Sequence, residues 1–177
     1  MIRALPFMAF LLLGSANAAS AQAVSALRGH NSNAPVDVEA DRIEVQDRAD
    51  RALFTGNVRV RQGDLALDAA RLTVAYASVG GGTQIQRIDA SGGVTVRSPS
   101  ETATGSFAIY DLNRRLITML GGVTLVRAGN QVRGGRLVID LNSGRATVDG
   151  SAVGGAAGGG GGRVTGRFTV PQRPGGN

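Results

Sequence analysis

Between Ala40 and Val153 one β-like unit is written four times, and that repetition limits the possible folds more than any other feature of the chain. The first half of the unit reads Arg42-Ile43-Glu44-Val45, Arg71-Leu72-Thr73-Val74, Ser106-Phe107-Ala108-Ile109 and Arg136-Leu137-Val138-Ile139. The second half opens on glycine: Gly56-Asn57-Val58, Gly92-Gly93-Val94, Gly121-Gly122-Val123 and Gly150-Ser151-Ala152. By subtraction the anchors Ile43, Leu72, Phe107 and Leu137 stand 29, 35 and 30 residues apart, and the four glycines 36, 29 and 29 apart. A fixed period of this size marks a stacked architecture in which no unit buries its apolar face alone.

Within the units the period is two. Val58 and Val60 alternate with Arg59 and Arg61, Leu72 and Val74 with Arg71 and Thr73, Val94 and Val96 with Thr95 and Arg97. Strict alternation reads as strands with one apolar and one polar face. Turn residues separate them, as at Gln62-Gly63-Asp64, Ser98-Pro99-Ser100 and Asn142-Ser143-Gly144. About four short strands per unit are expected, with the glycines at corners or bulges where a strand passes from one sheet to the next.

The ends are different in kind. Residues 1–23 have the form of an export signal: Arg3, an apolar run from Ala4 to Leu13, then small residues that place cleavage between 18 and 23. Residues 24–35 read as a polar linker with a solvated His30, and 36–170 as one β domain. Within it a glycine-rich loop, 154–162, precedes a last edge strand at 163–170, and 171–177 read as a disordered tail.

Composition removes several function classes. Cysteine is absent, so thiol catalysis, thiolate metal sites and disulfides are excluded. His30 is the single histidine, which argues against a zinc site, and the paired aspartates fall at turns, which argues against a glycosidase. The recurrent glycines precede strands and lack the lysine and helix of a phosphate loop. No catalytic residue, metal, cofactor or nucleic-acid partner is expected. All cations are arginine, and charge is uneven: Asp37, Glu39, Asp41 and Glu44 crowd the start, whereas nine arginines and only Asp140 and Asp149 follow Leu112.

What remains is an aliphatic strip: Ile43, Val45, Val58, Val60, Leu65, Leu67, Leu72, Val74, Val94, Val96, Phe107, Ile109, Val123, Leu125, Leu137 and Ile139. Stacked units align it into a trough, which is either a dry core or a groove for lipid tails. The terminal strands, with Val36, Val38 and Ile43 at one end and Val164, Phe168 and Val170 at the other, are the expected open edges for docking.

The residues Val38-Glu39-Ala40-Asp41-Arg42-Ile43-Glu44-Val45, Ala52-Leu53-Phe54-Thr55-Gly56-Asn57-Val58, Ile88-Asp89-Ala90-Ser91-Gly92-Gly93-Val94 and the later glycine-valine repeats resemble the OstA-like (organic solvent tolerance) domain of the LptA family of lipopolysaccharide export proteins. The resemblance covers about 36–170. It implies a twisted, partly open antiparallel β-jellyroll, V-shaped in section, in the periplasm, with lipid A acyl chains in the apolar interior. It also implies head-to-tail homo-oligomers between an inner-membrane anchored partner and an outer-membrane barrel that share the domain. The glycine tract at 154–162 departs from the family pattern. Two other readings stay open from the residues: a head-to-tail polymerising β-scaffold without lipid cargo, and a β-helical carbohydrate-active enzyme.

Overall fold

The computed structural model describes residues 30–150 and 162–169. The expected signal at 1–23, the linker as far as residue 29, the glycine tract up to residue 161, Val170 and the tail lie outside the described residues. Ten strands follow in order: β1 (Asp37–Glu39), β2 (Arg42–Gln46), β3 (Arg51–Gln62), β4 (Leu65–Val79), β5 (Gly82–Arg97), β6 (Glu101–Asp111), β7 (Leu116–Arg127), β8 (Asn130–Asp140), β9 (Arg145–Asp149) and β10 (Thr165–Arg167). One short 3-10 turn, Asp47–Ala49, joins β2 to β3. All pairings are antiparallel, in one open sheet of order β1-β3-β4-β5-β6-β7-β8-β10, with β2 also on β3 and β9 also on β8. The fold is therefore the all-β, unclosed, jellyroll-like sheet that the resemblance implied.

The expected four short strands per unit are instead two long ones. β3 to β8 each run 11 to 16 residues, straight through the glycine corner. The corner is a register shift repeated across the sheet, between Thr55 and Val58 in β3, Ser91 and Val94 in β5, and Leu120 and Val123 in β7. These three strands carry an extra residue there, in left-handed backbone: Gly56-Asn57, Gly92-Gly93 and Gly121-Gly122 all have positive φ. Glycine is needed for contact as well as conformation. A Cβ on Gly92 would lie 2.6 Å from the Cβ of Ala70, and one on Gly121 2.6 Å from that of Ser106. The second half of the fourth unit, beyond Gly150, falls outside the described residues.

The corner divides the sheet into two arms. Arm I holds β1, residues 58–62, 65–69, 94–97, 101–104, 123–127 and 130–134, and β10. Arm II holds β2, β9 and the other halves of β3 to β8. Their apolar faces meet in one core, in which Leu72, Met119, Leu137, Val58, Val94 and Val123 are fully buried. Full burial of each such side chain is worth about 1.5–3 kcal/mol.

Each outermost strand is also split at the corner. β1 pairs with residues 59–61 and β2 with 51–55, along one side of β3. β10 pairs with residues 131–133 and β9 with 136–140, along one side of β8. Gly150 and Gly162 are in direct contact, so the strand interrupted after Gly150 resumes at the same corner. The last edge is thus β9 together with β10, not the single strand expected at 163–170.

Candidate functional site

The site candidate is the inner face, which the pairing registers resolve into continuous rungs. In arm II one rung runs Ile43, Phe54, Leu72, Ala90, Ala108, Met119, Leu137, Val148. The next runs Val45, Ala52, Val74, Ile88, Tyr110, Ile117, Ile139, Ala146. In arm I the matching rung is Val38, Val60, Leu67, Val96, Ala103, Leu125, Val132, Gly166. Apolar side chains thus line the trough from one open edge to the other.

Of the sixteen residues expected inside, twelve are buried there: Val58, Val60, Leu65, Leu67, Leu72, Val74, Val94, Val96, Val123, Leu125, Leu137 and Ile139. Ile43 and Val45 belong to inner rungs but stand 54% and 60% exposed, because among the described residues β2 has a neighbour on one side only. Phe107 and Ile109 are a correction. They pair with Ser91 and Asp89 on the outer face, Phe107 is 53% exposed, and Ala108 and Tyr110 occupy the interior instead. The reason lies at the corner: the Thr104-to-Phe107 irregularity in β6 reverses which parity points inward. Ile88, Ala90, Ile117 and Met119 were overlooked in the sequence, although all four alternate with polar or turn-flanking neighbours.

The edges expected to dock a partner are only partly as foreseen. Val36 and Val38 are half-buried against the core, whereas Val164 and Phe168 are exposed beside β10. Residues Ala146 and Val148 of β9, which complete the last edge, were not foreseen.

The space around the trough differs between its ends, and beside the β1 end Ser32, Val36, Gln62, Ile85 and Leu112 line a polar opening of about 440 Å³. At the β1 end Val36, Val60, Gln62, Leu65, Ile88, Tyr110 and Ile117 leave a cavity of about 20 Å³. That is room for a single water at most. At the β10 end Leu125, Val132, Ala146 and Phe168, with Glu101 and Arg127 at the margin, line an opening of about 230 Å³. Thr169 is held there by its backbone N–H donating to Asn130 Oδ1 at 2.8 Å.

Gln62 stands between the small β1 cavity and the opening beside it, and His30 is not the solvated residue expected. The Gln62 side chain is buried, and its Nε2 donates to the carbonyls of Ser32 and Ala34, each at 3.0 Å. Its Oε1 accepts from the Tyr110 hydroxyl and from His30 Nε2, each at 3.1 Å. All four hydrogen-bonding sites of the amide are used, as a buried amide requires. Burial raises the Tyr110 pKa, an effect opposed by the Ser32 hydrogen bond and the charge of Arg115.

The outer faces carry charge. Arg87 pairs with Asp89 at 2.7 Å and Arg97 with Asp68. Among the described residues no three histidine or carboxylate side chains come together as a metal site.

Three comparisons bear on this geometry. Residues 37–145 match the family model described as LptA/(LptD N-terminal domain) LPS transport protein. An uncharacterized protein of Rhizobium meliloti (strain 1021) is 35% identical over 143 residues, which is 76% of this chain and 77% of that protein. LptH of Pseudomonas aeruginosa, described as the LptA-homologous periplasmic component of a lipopolysaccharide transport device, superposes with a TM-score of 0.69. It is 16% identical, over 80% of this chain and 99% of LptH, a likeness of fold. The match over 37–145 spans strands β1 to the start of β9 and the corners of β3 to β8; the chain belongs to the LptA/(LptD N-terminal domain) family of lipopolysaccharide transport proteins, a transport family and not an enzyme family.

Proposed function

We propose that this chain binds lipopolysaccharide through its lipid A acyl chains, between the two arms, and forms part of a periplasmic bridge carrying it from the inner to the outer membrane. The observation that carries the reading is the unbroken apolar rung from Ile43 to Val148, open at both ends. A lipid with several acyl chains cannot cross water uncovered, since each methylene exposed costs about 0.8 kcal/mol. A trough that covers tails and leaves sugars outside meets that requirement.

Bridging needs copies, or partners sharing the domain, joined edge to edge. With β1/β2 as one column and β9/β10 as another, the described strands form eight columns, an even number. A translated copy therefore meets the last column antiparallel, as every other pair in the sheet does. Continuing the rungs across that junction sets Val148 beside Ile43 and Ala146 beside Val45, which covers the exposed aliphatics of β2. On the outer face it sets Arg167 beside Asp37, and Asp149 beside Arg42. Like meets like inside and opposite charges meet outside, which favours this register over a one-residue slip.

The test is photo-crosslinking in cells from Ala146, on the inner face, and from its neighbour Thr147, on the outer. Lipopolysaccharide captured from Ala146 and not from Thr147 is expected. Head-to-tail assembly with no capture from either position would leave a scaffold without lipid cargo.

A further inference from the structure

We propose that residues 30–36 are a displaceable strap, latched on Gln62, that fills the β1 half of the trough until an acyl chain takes its place. The proposal rests on the lipid-cargo reading above and adds a gate to it.

The segment belongs to no strand. Its backbone bonds are local, Ser32 N–H to the His30 carbonyl and Ala34 N–H to the Asn31 carbonyl. Its ties to the sheet are the Ser32 hydrogen bond to Tyr110, the packing of Val36 against the core, and the Gln62 side chain, which takes three of its four hydrogen bonds from this segment. The fourth joins it to Tyr110 across the mouth. A segment held by a few side-chain hydrogen bonds and one packed valine can leave without breaking any strand pairing, which no strand of the core can do.

It also stands where cargo would go. Val36 packs among Leu65, Ile88, Tyr110 and Ile117, and the space left is about 20 Å³. No acyl chain fits in that slot while the strap is in place; outside it, between the strap and Ile85 and Leu112, lies a more polar opening of about 440 Å³, and the β10 end opens at about 230 Å³. Ser32, Ala34 and Val36 face Ile85 and Asn113 across that wider opening. Lifting the strap therefore vacates an apolar slot and joins it to the opening beside it. The exchange is balanced in kind, because the apolar surface uncovered under Val36 is the surface a tail would cover.

The chain has no cysteine, so an introduced pair is unambiguous. Asn33→Cys with Asn113→Cys, joined by a cleavable bismaleimide in the full chain, locks the strap. A photo-reactive residue at Ile85 reports the gated end, and one at Ala146 the open end. Lipopolysaccharide is the probe. Capture at Ile85 should fall at least tenfold on locking and return on cleavage, while capture at Ala146 persists. Equal capture at Ile85, locked and released, overturns the strap and leaves the cargo reading intact. No capture at Ala146 in any state overturns the cargo reading and the strap with it. Hydrogen exchange on the unaltered protein gives a second measurement that needs no variant. The amides of Ser32 and Ala34 should exchange several-fold faster when lipopolysaccharide is added, and unchanged protection overturns the proposal.

Discussion

Ala108 stands directly opposite Met119 across the β6–β7 ladder, both fully enclosed, while Phe107 beside it points to solvent. The smaller side chain is inside and the aromatic ring outside. Phe107→Ser should change stability by less than about 0.5 kcal/mol, as surface substitutions do. Ala108→Phe should cost about 1–3 kcal/mol by overpacking against Met119. Met119→Ala should cost about 2–5 kcal/mol. Urea denaturation of the three proteins checks the assignment, and a larger loss from Phe107→Ser than from Ala108→Phe would reverse it.

The corner distinguishes two adjacent glycines. Gly92 has φ +86° and lies against Ala70, whereas Gly93, at φ +79°, has nothing within 4 Å of an added Cβ. Asn57 occupies the position of Gly93 in β3, at φ +46°. Gly92→Ala should therefore lose about 1–3 kcal/mol, and Gly93→Asn much less. Thermal unfolding of both variants decides it.

Charge at the junction should set the rate of assembly. Asp37→Arg and Arg167→Asp should each slow association about tenfold at low salt, a typical steering effect. Mixing the two variants should restore the rate, because one of the two possible junctions then sets the introduced arginine against the introduced aspartate. Stopped-flow light scattering can follow the recovery. Removing 163–177 should weaken the junction without abolishing it, because among the described residues β9 pairs with β8 alone and keeps its other edge in arm II. Sedimentation of that truncated chain provides the measurement.

Tyr110 makes stability depend on alkaline pH. Burial holds its folded pKa above the ordinary value of 10.0. The neutral phenol is thus favoured by folding, and its contribution is complete below the unfolded value. As pH rises past that value the unfolded chain ionises first, and the contribution is lost progressively up to the folded pKa. Wild type should lose stability above pH about 10 more steeply than Tyr110→Phe does. Equal slopes in denaturation at graded pH would count against it.

The sheet was legible because alternation and repeat length report local geometry. The error at Phe107 was legible as well. Replacing Phe107 by Ala108 as the anchor gives spacings of 29, 36 and 29, by subtraction, and then 36 and 29 recur in the glycine intervals. Phe107 to Tyr110 is apolar or aromatic in both phases, so bulk alone favoured the wrong set. The Gln62 hub was not legible, because its four partners lie at separations of 28 to 48 residues and share no pattern. Nor was the split of the last edge, since nothing local tells that Gly150 and Gly162 touch. The exposure of Ile43 and Val45 follows from their place at an edge, a property of the whole sheet that no window of sequence contains.

The contact between Gly150 and Gly162 has a practical consequence. Two points of the chain that meet at a surface corner form a socket, and a foreign domain whose termini lie close together can be seated there without separating β9 from β10. The socket stands on the last column of the sheet, so its guest would crowd out a second copy on that side while β1 and β2 stay free. Such a chain would be a terminator: it would join a growing row once and end it. The ratio of terminator to unaltered chain would then set the length of the row.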